Sequence, residues 1–299
     1  MSKNLPSIQT LFTDSWSLFV KNLLNLFIIN LLGIAGFAVL AVIGLLILLI
    51  SGVGIGVITA GFQSKDAALL NLLMEALPVI VFIGVLLVIS IIMIDLFVQI
   101  GSILILNGPG QKVSFGNIFK SSFKFMVPLF FIGFLATLLV LGGVFLFIIP
   151  GIIMGFLFSF YPFELILGNK KGLDSLRSSF YLVKSNFWPL LLRFILIWVL
   201  SILINASLND YPVVLFIVSN VFGWFTLCFT FILYKQLKSV SDDKQSKLII
   251  PLILSLAGWV IIVVFGSFIA RNLPDFLTKP TNTEQIYESD TKPPDIQDI

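Results

Sequence analysis

The chain has 299 residues, of which 58% are hydrophobic and 11% charged, with a mean hydropathy of +1.10. That leaves too few polar side chains to cover a soluble globule of this size, so the composition excludes a soluble protein and implies an all-α, polytopic membrane bundle. Histidine is absent, cysteine occurs once as Cys228, and the net charge is +3. An intrachain disulfide, a His or Cys metal cluster and a nucleic-acid partner are therefore not expected, and no cofactor is implied.

The first element is an amphipathic stretch. Phe12, Trp16, Phe19 and Leu23 fall at i, i+4, i+7 and i+11, with Ser15 on the same side and Thr13, Asp14 and Ser17 opposite. The pattern returns in Phe119, Ser122, Phe123 and Met126 before Phe130, and in Leu176, Ser179, Phe180 and Val183 before Phe187. Lys120 and Lys124 flank the second copy, and Arg177 and Lys184 the third. Each copy stands in front of a long apolar run, which predicts a helix lying on the membrane surface before the chain turns inward.

A helix needs about 20 apolar residues to cross roughly 30 Å of hydrocarbon. By that measure seven spans are expected, near 23–47, 78–104, 127–149, 151–168, 187–206, 213–235 and 248–270. The first run continues without a charge to residue 61 and contains the Gly-rich stretch at 51–56, read as one tilted span and then a flexible or re-entrant segment. Pro150-Gly151 is the expected turn between the third and fourth spans. From residue 272 to 299 the chain turns polar and acidic and reads as a disordered tail outside a membrane domain of residues 1–271. The first apolar run has no convincing cleavage site after it and reads as a signal anchor.

Basic residues orient the bundle. With a cytoplasmic N-terminus, thirteen Lys and Arg fall on the cytoplasmic side and four (Lys65, Arg271, Lys279 and Lys292) outside, while Arg193 lies within the fifth span. All three amphipathic copies then lie on the cytoplasmic face, giving three units of surface helix plus two-span hairpin and one added C-terminal span. Lys120, Lys124, Lys170, Lys171, Arg177 and Lys184 form a basic rim suited to anionic lipid headgroups.

Polar groups inside the spans are the other candidates. Asp95 lies within the second span, with Gln99 at i+4. A carboxylate at such depth costs roughly 2.5–3.5 kcal/mol on insertion scales, so it is expected to be paired, hydrated or protonated. Arg193 lies at similar depth and is the expected partner, with Glu164 as a rival for the arginine. Two readings stay open: a polar clamp between helices, or a hydrophilic cavity around Asp95, Gln99 and Arg193 for a solute, a proton or a headgroup.

The stretch from 149 to 191 carries a resemblance. Pro150-Gly151, Pro162, the run Gly172-Leu173-Asp174-Ser175-Leu176-Arg177-Ser178-Ser179-Phe180, and Asn186-Phe187-Trp188 resemble the bacterial inner-membrane family that includes the membrane domain of glycerophosphoryl diester phosphodiesterase. The likeness covers residues 5–240 loosely. It departs where the family's acid precedes the glycine after the fourth span, since here Leu167 precedes Gly168 and the acid is Glu164, and the seventh span and tail look added. The resemblance implies a bacterial cytoplasmic-membrane protein concerned with envelope or lipid homeostasis. Phosphodiester chemistry in such relatives belongs to a separate soluble barrel that this chain lacks, and no histidine is present to activate water. The expectation is therefore a scaffold or lipid-binding protein and not an enzyme, with a small-solute or lipid transporter using Asp95 and Arg193 as the alternative.

Overall fold

Apolar runs without breakers become long helices, and their punctuation sets where they end. The computed structural model describes residues 6–50, 66–108, 115–240 and 247–278, and among these there is no strand. The helices are α1 (Ile8–Ile50), α2 (Asp66–Asn107), α3 (Phe115–Leu146), α4 (Ile148–Leu157), α5 (Tyr161–Ile166), α6 (Leu173–Ser185), α7 (Phe187–Leu208), α8 (Pro212–Val240) and α9 (Ile249–Thr278). Among the described residues, seven segments are long and apolar enough to cross a membrane: Ile8–Ile47, Val81–Asn107, Phe115–Leu146, Ile148–Ile166, Phe187–Leu208, Pro212–Val240 and Ile249–Asn272. The protein is an all-α, multi-pass membrane protein.

Several sequence expectations are corrected. The first and second amphipathic copies are not separate surface helices; they are the opening turns of α1 and α3. No breaker stands between Phe19 and Leu23, and Pro128 is carried inside α3, a tolerance typical of membrane helices. Only the third copy forms its own helix, α6, because the backbone leaves helical geometry at Asn186 (φ −130°). The turn between the third and fourth spans falls at Phe147, three residues before Pro150. Pro150 occupies the first turn of α4, where its missing N–H is not needed. The polar tail starts later than 272, since α9 runs to Thr278; residues 279–299 and the Gly-rich stretch at 51–56 lie outside the described residues.

The chain divides into two units, Met1–Thr137 with Gly155–Leu248, and Leu138–Met154 with Ile249–Ile299. In the first, α1 buries a seam of Leu11, Ser15, Leu18, Asn22, Leu26, Ile29 and Gly33. The steps of three and four residues keep all seven on one face of the helix. α1 meets α8 through an antiparallel aromatic ladder: Phe12 with Phe229 at 5.3 Å, Phe19 with Phe225 at 6.2 Å and Phe27 with Trp224 at 6.1 Å. In the second unit the α3–α4 hairpin closes tightly, the Gly143 and Gly151 backbones meeting without side chains between them. α9 packs there through Trp259 Nε1 and Ser255 Oγ, which donate to the Leu138 carbonyl at 3.1 and 3.3 Å.

Candidate functional site

The short helix α5 opens at Tyr161-Pro162 and delivers Glu164 to a position with no solvent exposure. Lys238, near the end of α8, donates to both carboxylate oxygens at 3.1 Å, and Ser178 Oγ of α6 donates to Oε2 at 2.9 Å. The consecutive helices α5 and α6 and the remote α8 are thus tied at one carboxylate. The chain must turn tightly to leave α5. A β-carbon at Gly168 would stand 2.6 Å from Glu164 Oε2 and 2.7 Å from its backbone oxygen, so only glycine fits. Tyr234 stacks on Phe163 at 5.3 Å and on Phe160 at 6.2 Å beside this cluster. It is buried.

A second polar joint lies alongside. Ser179 Oγ donates to the Leu157 carbonyl at 3.0 Å and accepts from the Phe160 amide at 3.1 Å, bridging the break between α4 and α5. Replacing Ser179 by alanine leaves a buried amide and a buried carbonyl unpaired, and should cost about 1–3 kcal/mol in thermal unfolding of the detergent-solubilised protein. Valine in its place should cost more, since nothing yields at a site with no exposure.

α6 is seated by Leu176, Ser179, Phe180 and Val183, all buried. Its remaining face carries Arg177, paired with Asp174 at 3.1 Å with both side chains 44% exposed, and Lys184, whose Nζ lies 5.8 Å from the Phe180 ring centroid. Lys171 is exposed and Lys170 half-buried in the loop before it; Lys120 and Lys124 are exposed on α3.

The structure does not bring Asp95 and Arg193 together. Arg193 is buried on α7, where Nη2 donates to the Pro6 carbonyl and Nη1 finds no hydrogen-bond partner among the described residues. Glu164, the rival acid, takes Lys238 instead. Asp95 stands near the middle of the Val81–Asn107 span, exposed, and makes no hydrogen bond or ion pair among the described residues. It lines a cavity of about 380 Å³ between α1, α2 and α8, with Asn30, Asn220, Trp224, Phe27, Phe37 and Phe216. Gln99 is half-buried and does not line it.

Sequence reasoning missed Lys238 and Ser178. Lys238 was one of many basic residues near a helix end, and its carboxylate partner lies 74 positions away. Ser178 stands next to Arg177, outside the apolar stripe of the third copy, yet it is 2% exposed. No group of His, Cys, Asp and Glu able to hold a metal exists among the described residues. Comparison with family models, with curated proteins and with solved structures returned no match.

Proposed function

We propose that the protein is a non-catalytic component of the bacterial cytoplasmic membrane, with a cytoplasmic N-terminus, that engages anionic phospholipid headgroups in envelope or lipid homeostasis or in membrane scaffolding. One observation carries this reading: α6 is anchored through its buried face while Lys171, Arg177 and Lys184 remain at the surface. Glu164, the acid held under α6 by Ser178, is fully buried and already paired with Lys238. The Arg177–Asp174 pair is exposed and therefore weak, so a phosphate can compete for the guanidinium. A basic ledge next to several spans attracts anionic lipid by about 1 kcal/mol per charge.

Changing Lys171, Arg177 and Lys184 together to glutamine should lower retention of phosphatidylglycerol on the purified protein by on the order of 100-fold, read by native mass spectrometry over a lipid titration. Retention of phosphatidylcholine should not change. Equal loss of both lipids, or no loss of either, would remove the proposal.

A further inference from the structure

The cavity around Asp95 gathers three oxygen acceptors and four aromatic rings in an otherwise aliphatic wall. Asn30 Nδ2 donates to the Leu26 carbonyl at 2.8 Å and Asn220 Nδ2 to the Phe216 carbonyl at 2.7 Å, each within its own helix. A carbonyl oxygen can be faced only by the amide nitrogen, so this fixes the orientation of both side chains and leaves both Oδ1 atoms as acceptors. The Asp95 carboxylate is a third acceptor, with no basic or donor side chain bonded to it among the described residues. Rings of Phe27, Phe37, Phe216 and Trp224 share the rest of the wall with aliphatic side chains such as Ile34 and Val98, and aromatic rings attract positive charge. A carboxylate at mid-span gains from a compensating charge, and no basic side chain lines this cavity among the described residues.

We infer that the Asn30–Asp95–Asn220 cavity binds an organic cation, an ammonium or phosphonium carried on an apolar body. The carboxylate supplies the charge, the two amide oxygens complete the polar wall, and the aromatic rings cover the apolar part. A small inorganic cation would leave most of about 380 Å³ unfilled and would gain little from the rings. The required chemistry is shared by a free lipophilic cation and by the headgroup ammonium of an ethanolamine phospholipid. This site is separate from the basic ledge on α6 and does not depend on its reading.

The test is equilibrium binding of radiolabelled tetraphenylphosphonium to the full chain in dodecyl maltoside, with tetraphenylborate as a probe of the same shape and opposite charge. One saturable site is expected for the cation and none for the borate. Asp95→Asn should weaken binding at least 10-fold, and Asp95→Glu should recover it to within about 3-fold. Asn220→Ala, at an exposed position that does not threaten the fold, should weaken it about 3-fold with Asp95 intact. Competition by added phosphatidylethanolamine but not phosphatidylglycerol would support the site with a lipid ammonium as occupant; no competition, with the cation still bound, would support it with a free cation. Absence of saturable binding, equal binding of tetraphenylborate, or unchanged affinity in a monodisperse Asp95→Asn protein would each overturn the inference.

Discussion

Replacing Lys238 by methionine is expected to destabilise the protein by about 3 kcal/mol, while Glu164→Gln costs only about 1 kcal/mol. The asymmetry follows from where the two partners stand. Glu164 has no exposure, so without Lys238 its charge stays buried with the Ser178 hydroxyl as its remaining side-chain donor. Lys238 keeps a third of its side chain exposed, so without the acid it can turn its ammonium toward water. Glutamine at 164 also retains an acceptor for Ser178 and preserves the shape around Gly168. Thermal unfolding in detergent should show the lysine variant melting several degrees below the glutamine variant, and the double variant recovering most of the difference. Should Glu164→Gln prove the more damaging, the carboxylate itself would be in use for something besides tying α5, α6 and α8 together.

The number and approximate limits of the spans were legible because crossing a membrane demands length and apolarity, which are properties of a single segment. Which face of each span packs was not. In hydrocarbon a lipid-facing side chain is as apolar as one facing another helix, so hydrophobicity does not separate the two. The stripe of Phe12, Trp16 and Phe19 does meet α8 through Phe12 and Phe19, but Trp16 is 59% exposed, and a second buried seam that its apolarity did not mark runs through Leu11, Ser15, Leu18 and Asn22. Likewise Phe119 and Phe123 are exposed while Ser122 is buried. The small and polar members of the repeat mark the contact: Ser15, Ser122 and Ser179 have no exposure in any copy. The polar sites were half legible for a related reason. Charge and depth singled out Glu164, Asp95 and Arg193, but equal depth does not make two residues neighbours. Asp95 faces α1 and α8, and Arg193 looks to the start of α1 at Pro6.

The same principle makes Gly258→Ala in α9 damaging out of proportion to one methyl group. A β-carbon at 258 would overlap the Gly142 carbonyl oxygen and approach the Leu146 amide to 2.9 Å, so α9 must move away from the end of α3. Moving it breaks the hydrogen bonds from Trp259 and Ser255 to the Leu138 carbonyl and loosens the edge-to-face contact of Trp259 on Phe145 at 5.1 Å. With no hydrophobic force drawing helices together in lipid, close backbone packing is the main attraction lost, and the cost should reach about 2–3 kcal/mol. Gly266 supplies the control within the same helix: nothing lies within 4 Å of its missing β-carbon, so Gly266→Ala should be neutral or stabilise by up to about 1 kcal/mol through helix propensity. Hydrogen exchange read by mass spectrometry should show faster exchange in 138–154 and 249–272 for Gly258→Ala, unchanged exchange in 161–185, and no effect of Gly266→Ala on any of these segments. Trp259→Phe, which removes one hydrogen bond but keeps the ring contact, should fall between them at about 1 kcal/mol. If the two glycine variants behaved alike, α9 would be held to the hairpin by its side chains, and the bare backbone crossing at Gly142 would contribute nothing.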